Sequence, residues 1–316
     1  MVSFIVLFLI GAIAAEAEAS SIEELVEKLK DPVWTTRQDA AKALGVMGPE
    51  AKDAVPTLVK AMGDENEEVR RAVIEALGKI GPVAKEAVPA LVAALGDESK
   101  QVRQAAIEAL GGIGPEAKEA IPALIEALKD EDKLVRGAAA QALGMMGPVA
   151  KEAVPALVES LKDKSEAVRV ATAHALGKIG PEAKEAVPAL LEALKDRYAS
   201  VRLAATQALG NIGPGAKEAI PVLIEALKDK NEWMRRAATY ALGSIGPEAE
   251  EVISALIGVL GDYYASVRKA AAEVLGNIGP KAKDAVSALT ELLQDEREEV
   301  RQVAAEALEK IMEEKP

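Results

Sequence analysis

Apolar residues recur along this chain with the spacing of an α-helix. In residues 199–212 they stand at positions i, i+3, i+4, i+7, i+8 and i+11, which form a single helical face: Val201, Ala204, Ala205, Ala208, Leu209 and Ile212. Residues 187–194 show a similar apolar face. Neither helix could bury such a face alone. The pattern therefore predicts helix pairs that stack on neighbouring pairs.

The same helix pair recurs every 33 residues. Gly-Pro pairs mark the period, and their prolines are Pro49, Pro82, Pro115, Pro148, Pro181, Pro214, Pro247 and Pro280. Glycine suits the end of one helix and proline the first turn of the next. The expected fold is an all-α solenoid in a single domain of residues 20–316, with nine repeats: 21–48, 49–81, 82–114, 115–147, 148–180, 181–213, 214–246, 247–279 and 280–312.

A second proline lies inside the first helix of six repeats, at Pro56, Pro89, Pro122, Pro155, Pro188 and Pro221. Proline removes a backbone donor, so the first helix is expected to kink or restart there. The last two repeats carry Ser254 and Ser287 at this position and are expected to be straighter. At the start of the chain, Ser21 and Glu24 predict a capping box.

The recurrent residues resemble those of the HEAT-repeat family over residues 21–312. They are proline in the first helix, aspartate at the turn, Val-Arg at the start of the second helix, and an alanine-rich apolar face. The resemblance implies that second helices line a concave face. It also implies a structural hydrogen-bonded ladder between repeats, formed by Asp64, Arg70, Asp97, Arg103, Asp130, Arg136, Asp163, Arg169, Asp196, Arg202, Asp229 and Arg235.

The N-terminal segment differs from the repeats. Val2 to Ala15 is uncharged and mostly apolar, and small residues alternate with glutamate up to Ala19. This pattern is typical of a secretory signal peptide comprising residues 1–19, although no Lys or Arg precedes the apolar run. We therefore expect export to the periplasm, cell surface or exterior. The alternatives are a membrane anchor or an apolar helix packed on the first repeat of a cytoplasmic protein.

Composition excludes several kinds of chemistry. The chain of 316 residues has a formal net charge of −13, which disfavours binding to nucleic acid. It has no cysteine and one histidine, His174, which has no carboxylate among its helical neighbours. A thiolate zinc site is excluded, and an oriented catalytic triad is disfavoured. We expect His174 at the surface, no cofactor or metal, and no enzymatic activity.

Departures from the repeat suggest where a partner binds. On the outer stripe of the second helices, charged residues give way to Leu134, Met145, Leu203, Trp233 and Tyr240, and Arg236 lies on the same stripe. Turn positions carry Tyr198, Tyr263 and Tyr264. Exposed aromatic residues and arginine are typical interface anchors. The alternative is that the aliphatic residues pack between adjacent helices and the tyrosines cover turns.

The sequence thus favours a non-catalytic, exported solenoid that binds a protein or peptide. The hypothetical partner-binding residues are Tyr198, Leu203, Trp233, Arg236, Tyr240, Tyr263 and Tyr264. Two alternatives stay open. One is a pigment- or cofactor-handling accessory protein, because phycobilin lyases contain similar repeats. The other is a structural array that associates with itself. The close similarity of the repeats fits both recent duplication and consensus design.

Overall fold

The computed structural model describes residues 21–313, and the segment 1–19 lies outside them. The described residues form nine pairs of α-helices. The helices are α1 (Ile22–Lys28), α2 (Trp34–Met47), α3 (Val55–Ala61), α4 (Glu67–Ile80), α5 (Val88–Ala94), α6 (Lys100–Ile113), α7 (Ile121–Ala127), α8 (Lys133–Met146), α9 (Val154–Ser160), α10 (Glu166–Ile179), α11 (Val187–Ala193), α12 (Ala199–Ile212), α13 (Ile220–Ala226), α14 (Glu232–Ile245), α15 (Glu250–Val259), α16 (Ala265–Ile278), α17 (Val286–Leu292) and α18 (Glu298–Met312).

The predicted all-helical repeat architecture is confirmed, with the first and second helices of each repeat alternating along the chain. Contacts divide the chain into two compact units, Met1–Ala175 and Leu176–Pro316, with the boundary inside α10. The single domain spanning 20–316 stays a prediction.

The predicted capping box is present: the Glu24 backbone N–H donates to Ser21 Oγ, and the Ser21 backbone N–H donates to Glu24 Oε2.

The predicted restart of the first helix occurs through a short 3-10 helix. Seven such helices are Gly48–Ala54, Gly81–Ala87, Gly114–Ala120, Gly147–Ala153, Gly180–Ala186, Gly213–Ala219 and Gly279–Ala285. Each begins with a glycine whose φ is between 60° and 75°, a conformation that favours glycine. In six cases an α-helix follows with the second proline as its second residue. The backbone N–H lost there would have no intrahelical acceptor anyway.

The expectation for the serine-containing repeats is right for Ser254 and wrong for Ser287. The helix α15, which contains Ser254, follows no 3-10 helix, whereas α17 follows Gly279–Ala285 as in other repeats. The second proline therefore does not cause the bend. The bend accompanies a glycine with positive φ and a small buried alanine. Before α15 these features are absent, because Gly246 has a φ of −146° and the buried Val252 replaces the alanine.

Second helices pack closely side by side within each compact unit. A Cβ atom added to Gly78 on α4 would lie 2.8 Å from the Cα atom of Ala109 on α6. The equivalent distance from Gly276 on α16 to Ala307 on α18 is also 2.8 Å. Glycine is therefore required by the close approach of two backbones. The last repeat carries Glu309 at this position, and no further second helix follows it among the described residues.

Arginine and aspartate join consecutive repeats in a ladder. Arg37 Nε and Nη2 donate to the two carboxylate oxygens of Asp64, 27 residues ahead, at 2.6 and 2.8 Å. Arg37 Nη1 donates to the Asp31 carbonyl at the start of its own turn. Five equivalent pairs are Arg70–Asp97, Arg103–Asp130, Arg136–Asp163, Arg235–Asp262 and Arg268–Asp295. Such bidentate pairs fix distance and orientation together.

The close approach at Gly78 predicts opposite effects of two alanine substitutions. Gly78→Ala should destabilise the protein by about 1–3 kcal/mol, because the added methyl group meets the backbone of α6. Gly137→Ala in α8 should stabilise it by up to about 1 kcal/mol, because no atom lies within 4 Å of the added Cβ and alanine favours helix. Urea unfolding followed by circular dichroism measures both. Equal effects would contradict the packing account.

The ladder predicts that the difference in stability between the wild-type protein and a variant lacking one ladder carboxylate depends on pH. The hydrogen bond from Arg268 lowers the pKa of Asp295, against burial, which raises it. Stability from this pair is therefore complete above the unfolded pKa of about 3.9 and is lost as pH falls through the lower folded pKa. Asp295→Asn should cost about 2 kcal/mol at pH 7, and the difference from wild type should shrink below pH 4.

The exposed Glu296 provides the control for this prediction, since it lies 4.0 Å from the same guanidinium. Glu296→Gln should change the urea midpoint little at either pH. A cost of Asp295→Asn that stays constant between pH 7 and pH 3 would contradict the assignment.

Candidate functional site

A groove lies between the second helices α12 and α14. It encloses about 340 Å³ and is lined by Leu203, Gln207, Gly210, Asn211, Trp233, Arg236, Ala237, Tyr240, Ala241 and Ser244. On each helix the long lining residues are spaced by three or four positions, so each set forms one stripe. The small residues Gly210 and Ala241 form the floor, where the two backbones approach closely.

Arg236 lies between two aromatic rings of the groove. Its guanidinium carbon is 5.9 Å from the ring centroid of Trp233 and 5.7 Å from that of Tyr240. Both distances suit cation–π attraction. The Trp233 side chain is 56% exposed, so its ring is accessible to a ligand. The groove therefore presents aromatic surface and a positive charge whose position the rings restrain.

Tyr240 also connects the groove to the next second helix. Its hydroxyl donates to Glu273 Oε2 on α16 at 2.9 Å. Burial raises the pKa of Tyr240, the bond to Glu273 raises it further, and Arg236 opposes both effects. The phenol is therefore neutral at physiological pH, and its hydrogen bond holds the ring in place beside Arg236.

Two equivalent grooves in the described residues have charged linings. The groove between α4 and α6 encloses about 330 Å³ and is lined by Glu75, Lys79 and Glu108 together with small residues. The groove between α16 and α18 contains Lys269, Glu273, Glu306 and Lys310. Arg236 is the one charged residue lining the groove between α12 and α14. The same backbone geometry thus carries a different chemistry at this place.

The predicted partner-binding residues divide into two groups. Leu203, Trp233, Arg236 and Tyr240 meet in the groove. The other three lie at turns: Tyr198, Tyr263 and Tyr264.

The turn tyrosines pack locally. The Tyr264 ring contacts the Arg235 guanidinium at 5.4 Å and the Tyr263 ring at 5.2 Å, and the Tyr198 ring contacts Arg197 at 4.7 Å. Tyr198 and Tyr264 precede helices and provide no side-chain cap. The contacts of Tyr198 and Tyr264 fit the alternative that the tyrosines cover turns, whereas Tyr263 is 88% exposed.

The aliphatic residues on the outer stripe are not buried between helices. Leu134 is 53% and Met145 50% exposed on α8, in the first compact unit. Leu203 is half-buried in the wall of the groove. Leu134 and Met145 therefore form apolar surface in a different part of the chain from the groove.

One pair of the ladder is not formed, which the sequence analysis missed. Arg202 donates from Nη1 to the carbonyl oxygens of Asp196 and Arg197, as its equivalents do. No hydrogen bond or ion pair joins Arg202 to Asp229 within residues 21–313, although both are ladder positions. A cavity of about 160 Å³ lies there instead. The sequence signal is Met234, which stands where seven other repeats have valine.

The described residues provide little for catalysis. His174 is exposed on α10, as expected. No group of three or more His, Cys, Asp or Glu in residues 21–313 is placed to hold a metal ion. No helix in this range has both the length and the apolar character needed to cross a bilayer.

Comparison with known proteins agrees with the helical architecture. A family model described as HEAT repeats matches residues 22–99, 88–163, 121–210, 187–263 and 253–316, and thus nearly the whole described range. No curated protein matches the chain.

Solved structures show the same fold. An engineered protein is 28% identical, with a TM-score of 0.64 over 96% of this chain and 91% of its own. Importin beta is 19% identical, with a TM-score of 0.61 over 91% of this chain. The Kap95:Nup1 complex contains a chain with 19% identity and a TM-score of 0.61 over 92% of this chain. The present chain spans 44% of the matched chain in each of these last two structures.

Proposed function

Because the chain belongs to the HEAT-repeat family, we propose that it is a non-catalytic module that binds a peptide segment of a partner protein between α12 and α14. The fold resembles importin-type protein-binding scaffolds. One of the similar structures is the Kap95:Nup1 complex, in which a chain of this fold is recorded together with a second protein. These likenesses concern the fold, and the proposed site rests on this chain's own residues.

The observation that carries the proposal is the lining of the groove. A solvated groove between second helices is lined by glutamate and lysine, as between α4 and α6. Between α12 and α14, aromatic and amide side chains replace these charges around Arg236. Trp233 is exposed although its burial would be favourable, which is typical of an interface anchor.

The geometry of the groove supports the following mode of peptide binding. An apolar side chain packs against Leu203 and the rings of Trp233 and Tyr240. A carboxylate of the peptide pairs with Arg236, whose charge no carboxylate of the groove lining neutralises. The amides of Gln207 and Asn211 are exposed along α12 and can bond to the peptide backbone. A peptide with one acidic residue and no further negative charge fits best, because the protein's net charge of −13 repels strongly acidic partners.

Selection from a random peptide library displayed on phage tests this proposal. Peptides selected on the wild-type protein should lose at least tenfold in affinity for the double variant Trp233→Ala/Tyr240→Ala, since both aromatic walls are removed. They should carry an apolar residue near an acidic one. Fluorescence anisotropy of the labelled peptides measures the affinity.

The equivalent groove between α4 and α6 provides a matched control. Glu75→Ala/Glu108→Ala changes its lining by the same number of residues and should leave the peptide affinity within about twofold, because α4 and α6 lie outside the proposed site. Equal loss in both double variants, or no loss in either, would refute the assignment to α12 and α14. Circular dichroism checks that all variants are folded.

We also propose that the protein is exported and that residues 1–19 are removed. The apolar run Val2 to Ala15 and the small residues up to Ala19 support this proposal.

Intact mass spectrometry of protein expressed from the full-length gene in a bacterial host tests export. The expected mass corresponds to a chain beginning at Ser20, recovered outside the cytoplasm. The variant Leu7→Arg/Leu9→Arg should keep the full-length mass, because two charges interrupt the apolar run. Full-length wild-type protein confined to the cytoplasm would contradict export.

A further inference from the structure

The unformed pair between Arg202 and Asp229 leaves opposite polar groups facing one cavity. In six other pairs, arginine Nε and Nη2 donate to both carboxylate oxygens of the aspartate in the next repeat, as for Arg235 and Asp262. Arg202 and Asp229 lack this bond in the part of the chain that the structure describes. Asp229 Oδ1 accepts from the Asn231 backbone N–H, which keeps the carboxylate in its usual place.

Met234 is the sequence difference that accompanies the separation of this pair. Seven repeats have a buried valine at this position: Val69, Val102, Val135, Val168, Val201, Val267 and Val300. The longer Met234 reaches α12, where its Sδ atom lies 3.3 Å from Thr206 Oγ1. The same hydroxyl donates to the Arg202 carbonyl at 3.0 Å. Methionine thus takes up space beside Arg202 where other repeats have the shorter valine.

The cavity that results has both apolar and charged walls. It encloses about 160 Å³, compared with about 30 Å³ for a water molecule in the liquid. Arg202 and Asp229 line it together with Leu203, Trp233 and Met234. Leu203 and Trp233 also line the groove between α12 and α14, so the two spaces share a wall. The side chains of Leu203 and Trp233 therefore separate a ligand in the groove from the cavity.

We propose that this cavity binds a carboxamide group, supplied by a Gln or Asn side chain of the peptide that occupies the groove; the choice of a peptide rests on the proposed function. A carboxylate would meet Asp229, and an ammonium or guanidinium group would meet Arg202. A carboxamide satisfies both residues, because its oxygen accepts from Arg202 and its NH2 group donates to Asp229. Its planar shape and short apolar stem suit the wall formed by Trp233 and Leu203.

This inference adds a specificity to the proposed function. The groove selects an apolar residue and an acidic residue, whereas the cavity selects a neutral amide nearby. Replacing that Gln or Asn of the peptide by Glu or Asp would place a second carboxylate beside Asp229, which would repel it and leave Asp229 without the donor that the NH2 group supplies. Sites that hydrogen-bond a polar group discriminate strongly against analogues that leave buried groups unpaired.

The test uses small probes and so does not depend on finding the partner. The full chain carries Trp34→Phe, so that Trp233 is the remaining tryptophan. Its indole N–H signal is followed by NMR during titration with propionamide, with propionate and with acetamidinium. Propionamide should give a saturable shift with a Kd on the order of millimolar, as suits a ligand of few atoms. The two charged probes should bind at least tenfold more weakly.

Two variants in the same Trp34→Phe background locate the binding. Met234→Val should let Arg202 pair with Asp229 and abolish the propionamide shift. Glu75→Ala/Glu108→Ala should leave that shift unchanged, because these residues line the groove between α4 and α6 and not the cavity. No saturable shift in the folded protein, equal shifts with propionate, or a shift retained in Met234→Val would each overturn the proposal.

Failure here is distinct from failure of the proposed function. If library peptides bind the groove but propionamide gives no shift, the cavity assignment is wrong and the groove stands. If propionamide binds but no peptide does, the cavity holds a carboxamide from another source. Selected peptides separate a side-chain carboxamide from a terminal one. A tenfold loss of peptide affinity on changing Gln to Glu in the peptide supports a side-chain carboxamide. A loss of affinity only on changing the peptide's terminal amide to an acid contradicts it.

Discussion

The bidentate bond from an arginine to an aspartate 27 residues ahead governs how one repeat follows another. The two side chains are almost buried, as in Arg136 and Asp163, which are 7% and 13% exposed. Removing either partner would leave a charge without water or counter-ion, which is costly. The same aspartate accepts a hydrogen bond from the backbone N–H of the residue two positions later, as Asp163 does from Ser165. One residue thus joins two repeats and shapes the turn before a second helix.

Close packing of second helices restricts where sequence can change. Gly78 and Gly276 bring neighbouring backbones together, and the buried faces carry small or aliphatic side chains. Changes in these places disturb the stack, whereas the outer stripe of each second helix is free to vary. Trp233, Arg236 and Tyr240 all lie on that stripe. The proposed site is therefore a change of surface chemistry on an unchanged scaffold.

The repeats made the fold predictable, because one pattern of apolar residues and turn signals occurs many times. The repeats also identified Leu203, Trp233, Arg236 and Tyr240 as departures from the pattern, and residues on the same stripe of adjacent second helices lie close together. Other features depend on three-dimensional fit. The bend before α17 follows the conformation of Gly279 and the size of Ala285, so Ser287 alone was misleading. The gap at Arg202 accompanies the reach of Met234 across to α12, a contact that no spacing along the chain reveals.

The central claim is that a partner peptide occupies the groove between α12 and α14, and mapping of NMR chemical shifts with a library-selected peptide tests it most directly. The account predicts that shifts concentrate at the Trp233 indole N–H and at the side-chain amides of Gln207 and Asn211. The backbone amides of Glu75 and Lys79, which are equivalent to Gln207 and Asn211 and line the groove between α4 and α6, should not respond. Shifts centred on the first helices or on Leu134 and Met145, with the Trp233 signal unchanged, would contradict it.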